Sequence, residues 1–289
     1  MIRAPHSAAS PVVLTGGTSG VGRATALQLA ARQVPLVLGV RNAERGEAVR
    51  DEILALDGDA RVGILPLDLS SLASVREFAA SYAEHFAPWR ALIANAGVML
   101  EPTRRLTADG FEMHLGVNHL AHFALTGLLL PFAGVRARVI TVTSIAARWG
   151  HLLFHDLRFD HGYRPFRAYA ASKRANLLFA HALHRKSVDE GLDIVSIATH
   201  PGYAMSPERL RSPVRLPARA IAQDHAAGAG PNVMAVLDPT LTGGELIAPG
   251  GPTRTAGPPA IVPALRIRNE EAAATRLWRL SGQLTRVPW

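Results

Sequence analysis

The 289-residue chain has no cysteine, which excludes disulfides, thiolate nucleophiles and thiolate metal sites. Lysine is almost missing too. Only Lys173 and Lys186 occur, against 29 arginines, so nearly every cationic position carries a guanidinium and each surviving lysine calls for a reason. No apolar run reaches the roughly 18 to 20 residues that a bilayer-spanning helix needs. The longest, Phe123 to Val135, is interrupted by Gly127, Pro131 and Gly134, and no membrane span is expected. Met1 to Ser10 holds one arginine and no apolar leader core, so a cytoplasmic address is expected. The net charge of +8 comes from arginines spread along the chain, with only small clusters such as Arg209, Arg211, Arg215 and Arg219. That pattern argues against nucleic acid as a partner. HExxH and Gly-x-Ser-x-Gly motifs are absent, which argues against a zinc hydrolase and against a serine hydrolase built on Ser144. The helical histidine pairs His119/His122 and His181/His184, and the pair His151/His155, lack a third ligand. They read as packing or surface residues, and no metal site is expected.

What the chain does contain is an alternation of short aliphatic runs with longer amphipathic stretches. Strands are expected at Val12 to Thr15, Leu36 to Val40, Val62 to Pro66, Ala91 to Asn95, Arg138 to Thr143, Ile194 to His200 and Glu245 to Ile247. Helices are expected from Val21 to Gln33, Ala43 to Leu56, Leu72 to Phe86, Gly110 to Phe132, Tyr169 to Glu190 and Ala218 to Leu237, with Asn42 and Ser71 as N-caps. The order predicts an α/β fold: a single doubly wound Rossmann-type domain over residues 11–248, with a mostly seven-stranded parallel sheet and helices on both faces. Residues 1–10 form a tail. The Pro- and Gly-dense stretch Pro249 to Pro263 reads as extended, and Glu270 to Leu284 as a helix folding back, so that 249–289 packs on the same domain.

Directly after the first strand comes Thr15-Gly16-Gly17-Thr18-Ser19-Gly20-Val21-Gly22. Glycines at 16, 20 and 22 permit positive φ and let backbone approach a pyrophosphate at a helix N-terminus. A tight turn without a ligand shares this pattern, but its place behind the first buried strand is what a dinucleotide site requires. The second strand ends in Arg41-Asn42, where NAD-binding sites carry a carboxylate for the ribose 2′-hydroxyl. A guanidinium there suits a 2′-phosphate, pointing to NADP over NAD, although a solvated surface arginine is the bland alternative.

Taken in order, these residues resemble the short-chain dehydrogenase/reductase superfamily across most of Val12 to Ser206. The shared motifs are the Gly turn, Asp68-Leu69, Asn95-Ala96-Gly97, Asn118, Ser144, Tyr169-x-x-x-Lys173 and Pro201-Gly202. The wording around Asn118-His119-Leu120 is closest to the branch with retinol dehydrogenases and protochlorophyllide reductases. The resemblance implies that Asp68 and Leu69 contact the adenine, Asn95, Ala96 and Gly97 line the adenine-side ribose, and Pro201 and Gly202 border the nicotinamide. It also implies that Asn118 anchors a relay water, and that Ser206, where relatives carry threonine, bonds the carboxamide. Carbonyl reduction needs a proton donor, and the reverse reaction a base. A tyrosine, with an ordinary pKa of about 10, serves both if a cation stabilises its phenolate. Lys173 stands one helical turn from Tyr169, and Ser144 at a strand end can bond the substrate oxygen.

The expected activity is NADP-dependent hydride transfer on a small carbonyl or alcohol substrate, lipophilic in character. An NADP-binding sensor or scaffold without turnover is the alternative. The apolar stretches Leu125 to Phe132 and Leu177 to Leu183 read either as core or as interface, and a homodimer or homotetramer is expected, since in relatives these helices pair with symmetry mates. Substrate choice is expected to lie with Trp149, His151, Phe154 and the loop Tyr203 to Ala218.

Overall fold

The computed structural model describes residues 10–206, 221–263 and 270–289. The chain runs β1 (Val12–Thr15), α1 (Gly20–Ala30), β2 (Leu36–Val40), α2 (Ala43–Leu56), β3 (Val62–Pro66), α3 (Leu72–His85) and β4 (Trp89–Ala94). Next, α4 (Met113–Leu115), a π-helical turn (Gly116–Leu120) and α5 (Ala121–Leu129) form one continuous helical stretch, followed by β5 (Ala133–Val142), α6 (Pro165–Asp189) and β6 (Ile194–Thr199). The remainder comprises β7 (Ala204–Met205), β8 (Gln223–Asp224), α7 (His225–Leu237), β9 (Leu246–Pro249), β10 (Pro259–Val262) and α8 (Glu270–Thr285).

Eight strands make one sheet in the order β10-β9-β6-β5-β4-β1-β2-β3. Seven run parallel, and β10 lies antiparallel on β9 at the edge. Alternate residues of each strand face opposite sides of a sheet. Val13 therefore joins the core shared with Phe78, Tyr82, Phe123 and Phe179, while Val12 and Leu14 join the other with Leu29, Leu38 and Ile53. Asn42 and Ser71 cap α2 and α3, accepting from the amides of Arg45 and Ser74. Chain order reverses between β1 and β4, and the carboxyl ends of strands at such a switch point open a crevice.

Several expectations need correction. The eighth strand arises inside the Pro- and Gly-dense segment, because an edge position leaves one side of the strand without ladder bonds and so tolerates Pro259. Strand β5 begins at Ala133 rather than Arg138, and α6 at Pro165, with that proline in the first turn where its missing N–H costs nothing. The helical stretch Met113–Phe132 is apolar enough to cross a membrane by length and composition alone, and 72% of its apolar 18-residue window is buried inside the protein. Its polar members, His114, Asn118, His119 and His122, all find internal partners.

The stretches that read either as core or as interface are in large part packed by the chain itself. Leu125, Leu129, Leu177, Leu178 and Leu183 are fully buried. Trp278 and Trp289 pack against Phe123 and Phe179, and His119 bonds Ser281 of α8 at 2.9 Å. Tail residues 1–9, the arginines at 209, 211, 215 and 219, most of the loop Tyr203 to Ala218, and the start of the helix expected from Ala218 lie outside the described residues.

Candidate active site

The turn from β1 to α1 is built by close approach. Gly16 has φ +67° and Gly20 φ +52°, and a Cβ at Gly22 would lie 2.0 Å from the Gly16 carbonyl oxygen. The turn is braced from β4: Asn95 Nδ2 donates to the carbonyls of Thr15 and Gly16 at 2.9 and 3.3 Å. Thr15 Oγ1 accepts from the amides of Asn95 and Ala96, both at 3.0 Å.

Around this turn opens a cleft of about 710 Å³. Its walls include Gly16, Thr18, Ser19, Gly20, Val21 and Gly22, then Arg41, Asn42, Asp68 and Leu69, then Asn95, Ala96 and Gly97, and finally Tyr169, Lys173 and Pro201. One continuous surface therefore connects Arg41 and Asn42 to Tyr169. Asp68 Oδ1 accepts from the Ser70 amide and hydroxyl at 2.9 and 2.7 Å, fixing the wall next to Leu69.

Four expected residues stand outside those walls. Asn118 is fully buried; its Oδ1 accepts from the Val98 amide at 2.8 Å, and its Nδ2 donates to the Val98 carbonyl and Ser172 Oγ at 3.1 and 2.9 Å. It thereby holds the Gly97-Val98 backbone. Ser144 follows the wall residue Thr143 and caps the turn after β5, its Oγ accepting from the Ala146 amide at 3.2 Å. Gly202 has φ +70°, and a Cβ there would lie 2.3 Å from the Thr255 carbonyl oxygen. Ser206 is half-buried just beyond β7.

Tyr169 and Lys173 lie one turn apart on α6, and both line the cleft. Lys173 Nζ donates to the Val142 carbonyl at 3.0 Å, and burial pulls its pKa down to about 8. Burial also pushes the Tyr169 phenol above its ordinary value, with the Ser144 hydrogen bond acting in the opposite direction. Desolvation of both groups acts against the stabilisation of the phenolate expected from Lys173.

Sequence reasoning missed Arg45, Met99, Glu101 and Arg105, all in the walls. Arg45 carried a usable signal, since the residue three beyond an N-cap lies in the first helical turn, facing the Gly turn across the strand ends. Met99, Glu101 and Arg105 sit in a loop with no periodicity to read.

A family model described as short chain dehydrogenase matches residues 10–209. The chain belongs to that family. This short-chain dehydrogenase is 42% identical over 197 residues to retinol dehydrogenase 11 of Homo sapiens, the match covering 68% of the chain and 61% of the relative. It is 45% identical over 196 residues to polyprenol dehydrogenase of Mus musculus, covering 66% and 58% respectively. The matched region thus spans about six-tenths of those curated relatives' own length. Among solved structures, an uncharacterised protein from Mycobacterium paratuberculosis superposes with TM-score 0.80 at 36% identity, covering 98% of this chain and 96% of that one. A Burkholderia cenocepacia short chain dehydrogenase solved with NADP shares the fold at TM-score 0.62 and 24% identity, covering 79% and 90%.

Proposed function

We propose that this short-chain dehydrogenase is an NADP(H)-dependent oxidoreductase acting on a lipophilic alcohol or carbonyl compound. The observation that carries the reading is that Tyr169 and Lys173 share one cleft with the glycine turn, and that Thr143, the residue before Ser144, lines the same cleft. The cradle fits a dinucleotide: at Gly16 and Gly22 a side chain would collide with backbone, and α1 directs its unpaired N-terminal amides at the turn. Arg41 and Arg45 flank the end of β2 in the cleft wall, a donor set that suits a 2′-phosphate. Residues 11–248 act in this reading as the catalytic unit, with 249–289 packed on it.

A nicotinamide bound here supplies or accepts the hydride. The protein's own part is to manage a proton and a developing charge. In reduction, the Tyr169 O–H donates its proton to the substrate oxygen, and the raised pKa keeps that proton in place at neutral pH. The Ser144 hydroxyl orients the same oxygen, and the Lys173 ammonium stabilises the phenolate left behind. Asn118 holds Gly97 and Val98 so that the wall opposite Lys173 stays fixed.

Relatives named for retinol and for polyprenol both take long apolar alcohols as their names state. Apolar side chains left exposed near Tyr169 and Ser144 in sequence or in the cleft wall, Met99, Trp149 and Phe166, support the same class here. The test is a screen of retinal, decanal and aromatic ketones with NADPH and with NADH, followed by absorbance at the nicotinamide band. Turnover is expected with NADPH, and Tyr169→Phe should lower kcat by about 10²–10⁴-fold while leaving NADPH affinity nearly unchanged. Undiminished turnover in that variant rejects the assignment.

A further inference from the structure

Beneath Tyr169 lies a polar pair that the chemistry above does not use. Glu112 and His114 both have side chains with 0% exposure. Glu112 caps α4: its Oε1 accepts from the His114 amide at 3.0 Å and its Oε2 from the Leu115 amide at 2.9 Å. The same Oε1 lies 2.7 Å from His114 Nδ1. On the far side of the ring, the Glu101 amide donates to His114 Nε2 at 3.2 Å. An amide can only donate, so Nε2 must present its lone pair. The ring proton is therefore on Nδ1, given to the carboxylate, and the pair is a carboxylate with a neutral imidazole rather than an ion pair.

This imidazole touches two things that matter to the site. Its ring stands edge-on to Tyr169, with centroids 6.2 Å apart, and is flanked on another side by Tyr163 at 6.5 Å. Its Nε2 closes the loop from Glu101 to Met113, whose members Glu101, Arg105 and Met113 line the cleft. The loop is stitched onward to the segment before α6. Tyr163 Oη donates to the Glu101 carbonyl at 2.7 Å, Arg104 Nε donates to the Arg158 carbonyl at 2.9 Å, and Arg104 pairs with Asp160.

We propose that His114, oriented by Glu112, is a positioning residue that sets the substrate-side wall 98–105 at a fixed distance from the Tyr169 hydroxyl. Its effect is on how the substrate is held, not on how the nucleotide is bound, because the glycine turn and Arg41 have no contact with it. The functional meaning rests on the oxidoreductase reading above, but the geometric claim can be tested without turnover.

Two variants separate hydrogen bonding from packing. His114→Phe keeps a ring between Tyr163 and Tyr169 yet removes both bonds; His114→Gln removes the ring but can place a carbonyl oxygen where Nε2 was. Hydrogen exchange by mass spectrometry on the NADPH-saturated full chain is expected to show peptides over 98–105 exchanging at least tenfold faster in His114→Phe, with β4 and α6 unchanged, and near-original protection in His114→Gln. With decanal as probe, KM should rise about tenfold in the Phe variant while NADPH affinity, read by fluorescence, stays within twofold. Equal protection of 98–105 in the Phe variant and the unmodified protein overturns the proposal. So does a Glu101 amide that is unprotected in the unmodified protein, a measurement that needs no variant to fold. Absence of decanal turnover in every form, with the exchange pattern as expected, would count against the oxidoreductase reading and leave the positioning claim supported.

Discussion

Lys173 carries a charge into a place where water is largely excluded: it is 5% exposed, and burial sets its pKa at about 8 instead of 10.5. The sign follows from which form burial disfavours. The ammonium is present below pH 8 and lost as pH rises through that value, whereas in the unfolded chain it persists to about 10.5. Burying this lysine therefore costs stability at neutral pH, a cost relieved as pH climbs through that window. For catalysis the consequence runs the other way, because a neutral amine cannot stabilise a phenolate. We expect kcat/KM for NADPH, which reports the free protein, to fall above about pH 8 in the reductive direction. A profile between pH 6 and 10 that stays flat would remove Lys173 from its assigned role. At this scale the sequence was informative where chemistry demands a particular side chain: Tyr169, Lys173 and Ser144 could be named because a proton donor, a cation and a hydroxyl must occur together. Asn118 shows the limit. Its buried side chain bonds Val98 and Ser172, partners that only the folded backbone brings near.

Elements were legible wherever a buried face imposes a period. Strands β1, β2 and β3 and helix α2 have the expected ends, because a capping residue or a glycine turn marks each boundary. Where a boundary depends on distant packing the signal fails. The start of α6 at Pro165 and the π-helical turn at Gly116–Leu120 are both of this kind, and so is β10, which exists only because β9 offers it an edge. The joint between α5 and the C-terminal segment is a further case. At Gly127 a Cβ would lie 2.3 Å from Trp289 Nε1, so only glycine admits the indole. Trp289 in turn packs on Trp278 with centroids 4.6 Å apart, and its carbonyl accepts from Trp278 Nε1 at 3.0 Å. Gly127→Leu should expel the indole and lower stability by about 1–3 kcal/mol in urea denaturation, with NADPH affinity retained. A midpoint unchanged by this substitution would show that the indole does not seat there.

For the molecule as a whole, α8 bears on assembly by covering part of α5 and α6. Arg76 of α3 donates to the Thr285 carbonyl at 2.7 Å, Arg185 pairs with Glu271 at 2.7 Å, and Ala274 and Leu277 pack on Leu115, Leu120 and Leu178. Hydrophobic surface that is already covered cannot drive association. The two apolar helices read from sequence either as core or as interface, since nothing in their own residues reveals that a segment about 80 to 140 positions later returns to cover them. Light scattering at micromolar concentration should therefore give the mass of one chain, 30.9 kDa. A dimer whose contacts map to α5 and α6 would show that α8 leaves that surface in solution.

The shared direction of the seven parallel strands also splits the molecule into a working rim and a spare one. The walls of the cleft come from the carboxyl ends of strands and from the loops and helices that follow them, while the turns that enter the strands carry none of its residues. At two such entrances, Gly58 before β3 and Gly191 before β6, a side chain would meet open space. These are natural grafting points, where a fluorophore or an affinity peptide can be spliced into the chain with the reacting end left undisturbed.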